Sequence, residues 1–191
     1  MKYLKFTLFA FFTITLLSFD IPTGWFIAGN SAESYNMGVD IGAGRNGKNA
    51  ATIQSVSKKI SGFGTLMQNC LPDKYIGKRI RLSGYLKTQN VEEWAGFWLR
   101  IEQANNQRPL AFDNMQERPV KASTDWQKYE IVLDVTEGAA NIAYGASLYG
   151  IGQIWFDDLN IEIVDNSVPL TGNNDSRALP HNEPINLDFE Q

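Results

Sequence analysis

The stretch EWAGFWLRIEQ (Glu93 to Gln103) alternates with period two, and its chemistry lies on the side that should meet water. Ala95, Phe97, Leu99 and Ile101 form one apolar side; Trp94, Trp98, Arg100 and Glu102 fall on the other. Flat aromatic faces beside a guanidinium and a carboxylate suit a small polar ligand. The rings can stack on apolar C–H faces such as those of a pyranose, while the charged groups bond hydroxyls. The plainer reading is that loops cover this face, so that the tryptophans become a second layer of core and Arg100 pairs with a carboxylate. Gly96 leaves a gap between the two indoles, either for a ring or for the close approach of another backbone. Arg81 and Tyr85 on the preceding strand add the same ingredients. Asp113 and Asn114, in LAFDNMQERP, are expected on a rim loop beside the Trp face, or in a turn that satisfies its own backbone.

The elements that must hold these side chains are all strands. After Asp20 the text reads as short alternating runs at 24–29, 34–41, 50–57, 63–70, 78–89, 94–103, 109–114, 126–135, 141–149 and 153–164. Between them lie GAGRNGK, SKKISG, LPDKYIGK, EQANNQR and TEGAAN, all rich in turn formers. Ten strands at this spacing predict an all-β protein, a sandwich or barrel. Faces can be assigned: Ile80, Leu82 and Leu86 oppose Arg79, Arg81, Tyr85 and Lys87, while Tyr129, Ile131, Leu133 and Val135 oppose Lys128, Glu130 and Asp134. A one-residue slip would bury charges, so the register is determined. Ile154 and Phe156 are out of phase with Leu159, Ile161 and Ile163, which predicts a β-bulge at Asp157–Asp158.

The 191 residues carry 17 basic and 21 acidic side chains with no basic block, so nucleic acid is not an expected partner. Residues 1–19 open on MKYLK and continue through fourteen uncharged residues, FTLFAFFTITLLSF. That pattern predicts a signal peptide, or an N-terminal membrane anchor if it is not cleaved, and hence an exported protein. Residues 20–165 make the sandwich, 166–184 a polar flexible linker, and 185–191 (INLDFEQ) a final alternating strand that should return to a sheet edge. Cys70 is the only cysteine, so there is neither a disulfide framework nor a Cys-rich zinc site. With the single His181 in the linker, Cys70 reads as a small apolar residue rather than a nucleophile. No HExxH, P-loop or GxGxxG signature is present, and carboxylate pairs such as Glu102 with Asp113 or Glu130 occur in any β-rich chain of this size.

In order along the chain come GW, GKNAATIQS, GTLMQ…YIGKRIRLSGYLKT and IWFDDLNIE, with a strand ending in FE. These motifs resemble the galactose-binding-like jelly rolls of xylanase- and cellulase-associated carbohydrate-binding modules, from about Gly24 to Val164. A longer likeness includes GWFIAGN, GFGTLMQ, VEEWAGFWLRIE, LAFDNM, TDWQKYEIVLDV and EPINLDFE. It resembles an uncharacterised bacterial domain also found behind helix-turn-helix modules in regulators of the arabinose-regulator (AraC) type. The resemblance implies a two-sheet antiparallel jelly roll that binds carbohydrate or a related polar ligand without catalysis. It also implies a structural calcium, for which Asp157, Asp158 and Glu190 are candidates; no other cofactor is required. In the module families the FE strand precedes GW, whereas here SFD precedes it and NLDFE comes last. The C-terminal segment is therefore expected to supply a sheet strand to its own chain or to a neighbour. The alternative function is an envelope structural or interaction module that forms homo-oligomers by exchanging that strand, and an enzyme of unknown class is the third, less expected reading.

Overall fold

The structure is a computed structural model, and it describes residues 19–104 and 108–174. The expected signal segment, the expected C-terminal strand, His181 and Glu190 lie outside the described residues. Ten strands run β1 (Phe26–Ala28), β2 (Tyr35–Asp40), β3 (Ala50–Ser55), β4 (Phe63–Cys70), β5 (Lys78–Gln103), β6 (Ala111–Asp113), β7 (Val120–Val135), β8 (Ala139–Tyr149), β9 (Gln153–Val164) and β10 (Asn173–Asn174). All pairings are antiparallel. Among the described residues there is no α-helix, and no helix is long and apolar enough to cross a membrane.

The two expected strands 78–89 and 94–103 are one strand of 26 residues, β5, which belongs to both layers of the sandwich. Its first half lies between β7 and β9, and β9 continues to β3 and β2. Its second half lies between β8 and the short β6, with β4 and β1 beyond β8 and β10 beyond β6. The corner falls at Asn90, where φ is 52°; the facing residue of β7, near Val91, is Ala122 with φ 60°. Thr88 Oγ1 donates to the Ala122 carbonyl at 3.0 Å, and the Asn90 N–H donates to Ser123 Oγ at 2.9 Å. Around this bend the pairing of β5 with β7 shifts register three times. The buried positions pass from even numbers (Ile80, Leu82, Leu86, Thr88) to odd ones (Val91, Ala95, Phe97, Leu99, Ile101). Bulges that turn a strand from one sheet into the next form the corners of β-sandwiches.

The core is the space between the two halves of β5. Phe97, fully buried on the second half, points at Gly84 on the first, and its ring meets Phe156 edge-on at a centroid distance of 6.2 Å. The predicted bulge is present: Asp158 has φ 51°, and β5 advances from Ser83 to Tyr85 while β9 advances from Asn160 to Asp157. Residues 166–174, expected as part of a flexible linker, are held to the sandwich. Arg79 Nη1 donates to the carbonyls of Asn166 and Val168 at 2.6 Å each, and the Thr171 N–H donates to the Val132 carbonyl at 3.1 Å. Polar side chains satisfy a backbone that has few apolar contacts of its own.

Candidate functional site

On the second sheet, strand parity puts Trp94, Gly96, Trp98, Arg100 and Glu102 on the outer face, as the alternation predicts. Register then sets their neighbours. Trp94 lies opposite Tyr149, Trp98 opposite Gly145, Arg100 opposite Ala143 on one side and Phe112 on the other, and Tyr149 opposite Phe63. Trp94 stacks on Tyr149 at 4.0 Å and 14°, and Tyr149 on Phe63 at 4.8 Å and 23°. Three strands thus contribute one ladder of rings.

The two tryptophans differ in role. Trp98 is only 7% exposed; its Nε1 donates to Thr65 Oγ1 at 2.8 Å, and the Thr65 hydroxyl donates to the Ala146 carbonyl at 2.7 Å. Thr65 is on β4, so the indole must cross β8, and it does so over Gly145, where no side chain stands in the way. Met67, Ala143, Ala28 and Phe112 close around it. Trp98 is therefore floor rather than platform, and loop cover is not what buries it. The gap at Gly96 is occupied by the Asn114–Met115 turn: a Cβ there would come within 3.0 Å of Met115 Cβ. A Cβ at Gly145 would lie 2.4 Å from the Leu66 carbonyl oxygen and 2.9 Å from Met67 Cα, so we expect Gly145→Val to cost about 1–3 kcal/mol, the usual range for overpacking, and to push β4 from β8. Denaturant unfolding checks this; a loss below about 0.5 kcal/mol would mean that β4 yields without cost.

Above this floor an open groove of about 220 Å³ runs along the face, walled by Phe63 and Tyr149 on one side and by Phe112 and Asn114 on the other. Arg100 enters it with its guanidinium 5.8 Å from the Trp98 ring centroid. Its side chain is ion-paired with Glu102, which is itself held by Asn141 Nδ2 at 2.6 Å. Arg100 Nε is buried with no hydrogen-bond partner among the described residues. Asn114 lines the groove, and its Oδ1 accepts the Gln116 N–H at 3.1 Å. Burial pushes the Tyr149 hydroxyl up from its ordinary range, so it keeps its proton and can donate at neutral pH.

Other expected residues lie elsewhere. Arg81 and Tyr85 do not join the Trp face, because the corner in β5 carries them to the outer face of the opposite sheet. There Arg81 pairs with Glu162 at 2.7 Å and Glu130 at 3.4 Å, and the Arg45 guanidinium lies 3.4 Å over the Tyr85 ring. Asp113 turns inward, away from the groove, onto Arg118, Thr171 and the Met115 N–H. Asp157 Oδ2 accepts the Arg45 N–H at 3.1 Å, and Asp158 pairs with the Arg45 guanidinium at 2.6 Å. Calcium takes six to eight oxygens, and among the described residues no cluster of three or more His, Cys, Asp or Glu exists. Asp158 serves the Arg45 cation and Asp157 serves backbone N–H groups, while Glu190, the third candidate, lies outside the described residues. Sequence reasoning missed Phe63, Phe112 and Tyr149. The signal was available: Tyr149 and Gly145 share one parity in NIAYGASLY, with Ser147 between them.

The chain folds as a two-sheet antiparallel jelly roll, and solved structures of similar fold include carbohydrate-binding modules. Among solved structures the chain is similar to the CBM22-1 xylan-binding domain of Paenibacillus barcinonensis Xyn10C, with a TM-score of 0.55 and 14% identity over 76% of this chain and 89% of that one. It is equally similar in shape to a Stig cyclase, Fisc, from Fischerella sp. TAU, with a TM-score of 0.54 and 16% identity over 78% and 89%. One fold thus carries both a binding module and an enzyme, so function must be argued from the site. In sequence the chain is 40% identical over 169 residues, 88% of its length, to an uncharacterized HTH-type transcriptional regulator, YbfP, of Bacillus subtilis (strain 168). It spans 57% of that regulator's length, and a helix-turn-helix has no counterpart among the described residues. No family model matches the chain.

Proposed function

We propose that this is an exported, non-catalytic domain that binds carbohydrate in the groove above Trp98. The observation that carries the reading is the company Arg100 keeps. Its side chain, 41% exposed, lines an open groove between aromatic walls. Glu102 holds one end of the guanidinium fork, and the fork carries further N–H groups that can donate to a ligand hydroxyl or ring oxygen. Phe112 and the Phe63–Tyr149 ladder offer apolar surface for sugar rings, while the Asn114 amide and the Tyr149 hydroxyl offer polar contacts. The xylan-binding domain shares the fold, and xylan is accordingly the first probe. Export rests on the charged-then-apolar pattern of residues 1–19.

The test is affinity-gel retardation and calorimetry with soluble xylan, then galactan and glucan. Trp98→Ala is the wrong variant, since it would empty a buried site. Phe112→Ala and Arg100→Gln lie on the groove walls. Each should weaken binding about thirtyfold, the equivalent of about 2 kcal/mol for a truncated aromatic or arginine anchor. Retardation on none of these polysaccharides, or retardation unmoved by both substitutions, would end this reading.

A further inference from the structure

A second cavity, of about 370 Å³, opens on the side of the sandwich, remote from the groove. Its cause is a mismatch in width between the sheets. On the first sheet β3 pairs with β9 only from Gln153 to Phe156, so among the described residues β9 beyond Phe156 has no neighbour on that side. On the second sheet β4 and β1 extend over the same region, inner faces toward the core. The bulge at Asp158 returns Leu159 and Ile161 to the inner face of β9 just where the neighbour ends. A cleft between the layers is left, and aromatic side chains line it.

Its walls are built rather than left over. Trp25 meets Tyr144 edge-on at 6.0 Å and Phe156 at 5.9 Å. The Tyr144 hydroxyl donates to Gln68 Oε1, and Gln68 Nε2 donates to the Gly24 carbonyl at 3.2 Å, which ties the turn carrying Trp25 to β4. Gln68 is thereby spent at both ends. Tyr75, Leu159 and Ile161 complete an apolar lining. Two polar groups stand at the cleft. One is the Asn160 amide, which has no side-chain hydrogen bond among the described residues. The other is the Lys74 ammonium, which stands 4.7 Å over the Tyr75 ring and has no carboxylate partner among the described residues.

From this geometry we infer that the cleft between β9 and β4 is a separate binding site for a small aromatic carboxylate, its ring between Trp25, Tyr144 and Leu159 and its anion at Lys74. The volume lies at the low end for small-molecule sites, which suits a single ring with a short acidic arm. Apolar walls of this kind favour a ring by its buried area, and a lone cation at the rim fixes which end faces out. The site shares no residue with the groove, so the two proposals stand or fall separately.

Cys70 supplies the readout. It is the only cysteine in the chain, it lines the cleft, and burial pushes its thiol up, so it reacts slowly and at one place. The experiment measures labelling of the full chain by a water-soluble thiol reagent with increasing 3-phenylpropionate, beside 3-phenylpropanol, its uncharged analogue. The expected result is saturable protection of Cys70 by the carboxylate. Protection should be about tenfold weaker with the alcohol and in Lys74→Gln, and lost in Leu159→Trp, which fills the cleft. Arg100→Gln and Phe112→Ala should leave it unchanged. Circular dichroism and thermal unfolding confirm that each variant is folded; if Leu159→Trp fails to fold, Ile161→Phe takes its place. Absence of saturable protection, equal protection by acid and alcohol, or protection that persists with the cleft filled would overturn the proposal.

Discussion

Replacing Arg118 by methionine should cost about 1–3 kcal/mol, the range for a buried polar group that loses its partners, because the Asp113 side chain is buried while that of Arg118 is 37% exposed. Arg118 holds Asp113 with two parallel bonds, Nη1 to Oδ1 at 3.1 Å and Nη2 to Oδ2 at 2.7 Å. The Asp113 side chain is only 5% exposed. Its remaining partners are the Met115 N–H at 2.8 Å and the Thr171 hydroxyl at 2.6 Å, neither of which carries charge. Arg118 also donates to the Glu130 carbonyl at 3.1 Å, so the pair joins the turn after β6, the middle of β7 and, through Asp113, the segment before β10. Methionine keeps much of the volume and loses every donor. The double variant Asp113→Asn with Arg118→Met tests the cause. An asparagine can accept the Met115 N–H with Oδ1 and donate its Nδ2 to Thr171 Oγ1, and it carries no charge, so it should recover a large part of the loss. Urea unfolding of the four proteins in the cycle gives the coupling directly. A single-variant loss under about 1 kcal/mol, the range of an exposed pair, would mean that the carboxylate reaches water.

That network marks where the sequence stopped being legible. Asp113 and Asn114 are adjacent in a motif that reads as rim, yet parity sends Asp113 inward while Asn114 faces the groove. The turn between them and Arg118 is what decides, and Met115 sits there with φ 61°. Within a strand, alternation was sufficient. It placed Phe97 and Leu99 inside, Arg100 and Glu102 outside, and it located the bulge in β9, because a period-two pattern shows any slip as a change of phase. Between strands it carried nothing. Whether Arg81 shares a face with Arg100 depends on Asn90 and Ala122 taking positive φ. A non-glycine residue adopts that conformation because tertiary contacts hold it there, so no local signal predicts the corner. The ring ladder was hidden for the same reason: Phe63, Tyr149 and Trp94 are neighbours only through the register of three strands far apart in sequence.

The corner itself makes the last prediction. Phe97→Ala should destabilise by about 3–5 kcal/mol, since a fully buried phenyl leaves a cavity that strands pinned on both sides cannot collapse into. Phe97 fills the space between the halves of β5, and a Cβ at Gly84 would lie 3.0 Å from its Cζ and 3.2 Å from Leu159 Cγ. The glycine is therefore there for the phenyl ring. Gly84→Ala alone should be unfavourable by about 1–3 kcal/mol, as overpacking usually is. In the Phe97→Leu background the same alanine should cost less or turn favourable, because the added methyl enters room the shorter side chain vacates. The two substitutions touch one contact, so their effects should fail to add by at least about 0.5 kcal/mol. Strict additivity in thermal and urea unfolding would mean that Gly84 serves its own strand and not the opposite one. The two halves of β5 would then not be packed through this pair.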